Sequence, residues 1–138
     1  MFRWPNSFVK CATLVSLVAA VTLVMSPESL ASKSETGERI YNRTCGGCHQ
    51  RDGAGKQDFY PPIVHSEFLA SKEKVIAQVI MGGSGEIVVN GVKYNDVMPP
   101  QELNDEEIAS VVSYIYERFE GKHTVVAPED VKKIRAGK

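Results

Sequence analysis

The sequence is poor in cysteine and histidine, the residues from which zinc sites are mostly built. Its 138 residues contain three cysteines and three histidines. A structural zinc site takes four ligands, usually two Cys/His pairs. Here Cys11 stands far from Cys45 and Cys48, in a segment expected to be removed, so a second pair is missing. An excess of one charge is missing too, with 16 basic against 17 acidic residues. Without a basic excess the chain lacks the electrostatic footprint of a nucleic-acid binder, and none is expected as a partner. There is no internal repeat and no low-complexity tract. The longest apolar run, Cys11–Met25, is interrupted by Thr13, Ser16 and Thr22 and falls short of the ~20 residues that cross a bilayer. Ordinary apolar and charged fractions then suggest one small globular domain.

That apolar run has a different reading. Arg3 and Lys10 precede it, Pro27 follows, and Ser29-Leu30-Ala31 puts small residues at the −3 and −1 positions of a cleavage site. Residues 1–31 are therefore expected to be a secretory signal cleaved near Ala31, the alternative being a retained anchor. The expected address is a bacterial periplasm. Cleavage leaves residues 32–138, with two more acidic than basic side chains and no membrane span.

What remains is organised around Cys45-Gly46-Gly47-Cys48-His49. Two thiols three positions apart, followed at once by an imidazole, form the attachment pattern of a c-type haem. One helical turn points Cys45 and Cys48 the same way, so each can form a thioether with one vinyl group of the porphyrin. His49 then sits under the iron as proximal ligand. Gly46 and Gly47 let the macrocycle lie close to the backbone. A disulfide, a redox-active CxxC and half of a zinc site are the alternatives. A thioredoxin-type motif wants a preceding strand in a βαβ unit, whereas the segment before Cys45 reads as helix.

The rest of the chain supplies short elements with clear punctuation. Ser32-x-x-Glu35 has the form of a capping box and predicts a helix from there to about Cys45. Gly37, Tyr41 and Cys45 share one face of it, and Gly37 asks for a second helix in close approach. A polar loop, Arg51–Lys56, leads to Tyr60-Pro61-Pro62-Ile63, where the prolines impose an extended course. A proline carbonyl there can accept the Nδ1 proton of His49, or the segment is a surface turn. Ser66 can cap a short turn and Ser71 a helix carrying Val75, Ile76, Val79 and Ile80, ended by Gly82-Gly83. Ile87–Val89 and Val92–Tyr94 around Asn90-Gly91 predict a β-hairpin. Asn104 with Glu107 predicts the start of a helix whose stripe is Ile108, Val111, Val112, Ile115 and Phe119. Gly121 closes it. A polar tail follows, in which Pro128-Glu129-Asp130 can open a last short helix with Val131 and Ile134.

The distal side of a haem needs methionine, histidine or no protein ligand. Met81 ends an amphipathic helix and is expected in the core. Met98 lies in an extended stretch stiffened by Pro99 and Pro100, which suits a weak thioether ligand. His65 and His123 are expected to be solvated surface residues.

These residues together resemble a class I cytochrome c. The match runs through Gly37, Tyr41, Cys45-x-x-Cys48-His49, Pro61, Met98-Pro99 and Tyr114, in order through most of residues 32–138. The resemblance implies an all-α cytochrome c fold, with three main helices around a covalent haem and one small hairpin before the distal loop. It implies Gly37 and Tyr41 packed on Val111 and Tyr114 where first and last main helices cross, and a bond from His49 to the Pro61 carbonyl, with Pro62 as the alternative. The run from Pro61-Pro62-Ile63 through Val89-Asn90-Gly91-Val92-Lys93-Tyr94-Asn95 to Met98-Pro99-Pro100 is similar to bacterial domains found with copper nitrite reductases and periplasmic dehydrogenases or oxidases. The hairpin, the tail past Gly121 and the absence of a lysine-rich surface depart from mitochondrial cytochrome c.

The expected organisation is a leader (1–31), a monohaem domain (32–121) and a tail with a short helix (122–138). The expected site is Cys45, Cys48, His49, Met98, Pro61 and Tyr94 around one covalent haem c, with His49 and Met98 on the iron. The expected function is a monomeric periplasmic one-electron carrier between a redox donor and an acceptor, such as a nitrite reductase, a dehydrogenase or a terminal oxidase. It is not expected to be an enzyme. The alternatives are a haem subunit of a larger complex and, with an open iron site, a peroxidase or gas sensor.

Overall fold

The computed structural model describes residues 27–137, with side chains from Lys33 onward. Residues 1–26 of the expected leader lie outside the described residues. In the full-length chain the first helix, α1 (Pro27–Ile40), begins ahead of the Ser32 capping box. Proline suits a first helical position, and Glu28-Ser29-Leu30-Ala31 contains no helix breaker, so the helix extends back through the box.

A second departure follows directly. Tyr41–Cys45 is a π-helical turn, in which Gly46 N–H reaches back five residues to the Tyr41 carbonyl. The wider turn changes the phase of the helix, so Tyr41 and Cys45 are not stacked at α-helical spacing as the sequence suggests. Tyr41 points into the core and is fully buried, while Cys45 borders a cavity. A short helix, α2 (Gly46–His49), completes the segment. The Tyr41 hydroxyl donates to the Gln50 carbonyl at 2.7 Å and ties off its end.

The punctuation read from the sequence forms the middle of the fold. Ser66 Oγ accepts from Phe68 N–H at the 3-10 turn Glu67–Ala70, and Ser71 Oγ accepts from Lys74 N–H at the start of α3 (Lys72–Met81). Val75, Ile76, Val79 and Ile80 are its buried residues. Met81, expected in the core, is 52% exposed. It is the last residue of α3, where the chain turns away at Gly82, so the apolar stripe has already ended. Strands β1 (Ile87–Val89) and β2 (Val92–Tyr94) pair antiparallel, Val89 opposite Val92. Asn90 and Gly91 both have positive φ, as the tight turn between them demands.

The long helix α4 (Asp105–Glu120) starts at a reciprocal capping box, Glu107 N–H to Asn104 Oδ1 at 2.9 Å and Asn104 N–H to Glu107 Oε2 at 3.0 Å. Its buried stripe includes Ile108, Val111, Val112, Ile115 and Phe119, and Gly121 ends it in the left-handed conformation. Helix α1 crosses α4 at Gly37, whose nearest neighbours there are the Ser110 carbonyl and Tyr114 Cβ. Beside the crossing, the rings of Tyr41, Tyr114 and Phe119 meet with centroids 5.2–6.3 Å apart.

The polar segment after Gly121 is tied into the same core. Its helix α5 (Pro128–Ala136) packs on α4 and α3. Val126 and Val131 are buried, and Ser113 Oγ accepts from Val126 N–H at 2.9 Å. Lys72 pairs with Asp130 and Arg135 with Asp105, each at 2.9 Å. Among the described residues the architecture is thus mostly helical, with one two-stranded sheet. Among the described residues, no helix is long and apolar enough to cross a membrane.

Candidate cofactor-binding site

Cys45, Cys48 and His49 border one cavity of about 220 Å³, and Met98 and Tyr94 border it too. Helices supply its apolar floor through Val75, Val79 and Ile115, and the hairpin adds Val89. The residues singled out from sequence, including Pro61, therefore come together from four separate stretches of chain. His65 and His123 are exposed.

The loop after His49 is folded back so that a proline carbonyl meets the imidazole. Gly55 N–H donates to the His49 carbonyl at 2.9 Å, and Lys56 and Tyr60 exchange a pair of main-chain bonds at 2.8 Å. These bonds bring the Pro61 carbonyl to 2.9 Å from His49 Nδ1. A carbonyl only accepts, so Nδ1 carries the proton and Nε2 keeps its lone pair. Burial lowers the His49 pKa, partly offset by the Pro61 bond, and so favours this neutral form. That is an imidazole oriented to bind a metal.

Met98 is held by its own main chain. It exchanges hydrogen bonds with Gly83, Gly83 N–H to Met98 O at 2.8 Å and Met98 N–H to Gly83 O at 2.9 Å. Gln101 N–H donates to the Val79 carbonyl at 3.1 Å and fixes the far side of Pro99-Pro100. The Met98 sulfur accepts from Gln78 Nε2 at 3.7 Å. Sequence reasoning passed over Gln78, because a polar residue on an amphipathic helix reads as part of its wet face. Its one signal is its position, one turn before the Gly82-Gly83 stop.

The thiols narrow the chemistry further. Cys45 and Cys48 are free rather than joined in a disulfide. Burial, with a smaller contribution from Cys48, pushes the Cys45 thiol up to about 11. Redox-active CxxC pairs need a lowered thiol pKa, so this environment argues against a thioredoxin-like role. Among the described residues, no three His, Cys, Asp or Glu side chains gather as a metal site. Two thiols, one imidazole nitrogen and one thioether around an apolar cavity instead fit a flat apolar macrocycle with a metal at its centre.

Comparisons with known proteins agree with that fit. Residues 32–115 match the family model described as cytochrome c oxidase, cbb3-type, subunit III. The chain is 38% identical over 120 residues to cytochrome c-552 of Thermus thermophilus, covering 79% of this chain and 80% of that protein. It is 29% identical over 117 residues to the fructose dehydrogenase cytochrome subunit of Gluconobacter japonicus, covering 79% of this chain but 24% of that subunit. Identity to the alcohol dehydrogenase (quinone) cytochrome c subunit of Gluconobacter oxydans is 24% over 107 residues, covering 75% of this chain and 22% of that subunit.

Proposed function

The chain belongs to the class I c-type cytochromes, and on that premise we propose that it is a periplasmic one-electron carrier whose haem c is anchored by Cys45 and Cys48 and ligated by His49 and Met98. A haem c supplies an iron that gains and loses one electron, and a methionine ligand favours its ferrous state. The chain's own residues do the rest. The two thiols tether the group. Pro61 holds the His49 ring by its Nδ1 proton, leaving Nε2 for the metal. Tyr94 and the aliphatic side chains around it keep water from the buried face.

The observation that carries this reading is the bracing of both ligand segments. His49 and Met98 border one cavity, and each lies on chain closed by main-chain hydrogen bonds. Ligands already in place need little rearrangement when the charge changes, which is the condition for fast electron transfer. A firmly held Met98 also leaves no open position for a substrate or gas, which favours a carrier over a peroxidase or sensor. Redox proteins are the partners such a carrier requires. A second reading, the haem-bearing part of a larger complex, is favoured by the Gluconobacter relatives, whose names are those of dehydrogenase subunits.

Intact mass measurement of denatured protein tests linkage and export together. The expected product from the periplasm is residues 32–138 plus one haem, retained through acid–acetone extraction. Haem lost on extraction would overturn the thioether anchors. A full-length chain recovered in membranes would replace the free carrier with a tethered one.

A further inference from the structure

The last turns of α3 and the residues just beyond it touch Met98 twice. Gly83 holds its main chain by the two exchanged hydrogen bonds. Gln78, one turn earlier, reaches its side chain, with Nε2 at 3.7 Å from the sulfur. A thioether has lone pairs and no hydrogen, so the amide is the donor.

Gly83 also explains why the amide can be there. A Cβ on Gly83 would fall 2.6 Å from Gln78 Nε2, closer than real contacts allow. Unlike Gly82, with φ of 66°, Gly83 does not have the positive φ that favours glycine. Its lack of a side chain leaves room for the Gln78 amide, the mobile end of a side chain that a Cβ would displace. The bare α-carbon is the shelf on which the Gln78 amide lies.

We propose that Gln78 is a positioning residue for Met98, its amide seated on Gly83 and donating to the sulfur. The proposal rests on the reading of Met98 as iron ligand. A thioether sulfur has two lone pairs, so one can bind a metal while the other accepts the amide N–H. Methionine has three rotatable bonds and is among the most adaptable side chains. The main-chain clamp fixes only where that side chain begins, and the Gln78 bond fixes where its sulfur ends. The bond also places the positive end of an N–H dipole beside the ligand. That disfavours the more positive ferric state, so Gln78 raises the potential.

The test uses the holoprotein with Gln78→Leu, Gly83→Ala and the double variant. Imidazole is titrated into ferric protein to displace Met98, and the reduction potential is measured. Each single variant is expected to bind imidazole about three- to tenfold more tightly, the effect of losing one modest hydrogen bond, and to have a lower potential. The double variant is expected to go no further than Gln78→Leu, because both changes remove the same bond. Gln78→Leu alone decides the matter if Gly83→Ala does not fold. Unchanged imidazole affinity and potential in Gln78→Leu, with the far-red sulfur-to-iron band intact, would overturn the role of Gln78 and leave Met98 as ligand. Absence of that band from the wild-type protein would instead overturn both.

Discussion

Met98→Ala is expected to abolish the far-red charge-transfer band of the ferric protein, lower its reduction potential and open the ferrous iron to carbon monoxide. The band requires a sulfur on the iron. The soft thioether stabilises the ferrous state, and axial ligands set haem potentials over a range of about 0.8 V. Removing one of two ligands therefore moves the potential by a large part of what the protein controls. The fold is expected to survive. Met98 joins Gly83 through its main chain, and alanine keeps both of those bonds. The variant thus separates ligation from folding. A band that persists in Met98→Ala would assign the sulfur to another residue.

Gly37→Leu is expected to be among the most destabilising single changes outside the cofactor site. Helix α1 crosses α4 there, and even a Cβ would press on the Ser110 carbonyl and lie 2.6 Å from Tyr114 Cβ. Neither can swing aside, because one is main chain and the other is fixed to it. Alanine in place of glycine gains up to about 1 kcal/mol of helix propensity, which offsets part of the clash. Leucine adds three more carbons with nowhere to go. Overpacking costs about 1–3 kcal/mol and occasionally more, and this site belongs at the upper end. Tyr114 also packs its ring against that of Tyr41, whose hydroxyl caps the haem-motif segment at Gln50, so separation of the helices spreads to the site. For a domain of this size, about 3 kcal/mol corresponds to a melting temperature lower by roughly 10–20 °C. Thermal unfolding of the ferric holoprotein followed by circular dichroism measures it. A melting temperature within about 2 °C of wild type would mean that the crossing is loose.

The elements read correctly from sequence were those with local chemistry. Asn90-Gly91 can only be a tight turn between β-branched runs, and Asn104 with Glu107 closes a cap within four residues. The departures came from tertiary demands without a local signature. No residue pattern announces the π-helical turn at Tyr41–Cys45, which lets one stretch bury Tyr41 and present Cys45 to the cavity. Ser32 and Glu35 have the form of a cap, but in the full-length chain the residues just before them are already helical. Met81 fits an apolar stripe that has ended one residue too soon. The tail after Gly121 looked polar because its buried contribution is a few residues, Val126 and Val131 chiefly, sealed by ion pairs at its rim. At the site, Pro61 is the expected acceptor and the adjacent Pro62 carbonyl is the alternative. The bonded loop from His49 to Tyr60 selects Pro61 for the imidazole. Gln78 was illegible because its partner is a sulfur twenty residues away in the chain.

The central claim is that both axial positions are filled by residues that stay bound in both oxidation states. The most direct measurement is carbon monoxide binding to the ferrous wild-type protein at neutral pH, with the ferric spectrum recorded on the same sample. The expected result is low-spin ferric iron with the weak far-red sulfur band and little or no carbon monoxide uptake. Rapid carbon monoxide binding, or high-spin ferric iron, would contradict it and make the site an open one, suited to an enzyme or a gas sensor rather than an electron carrier.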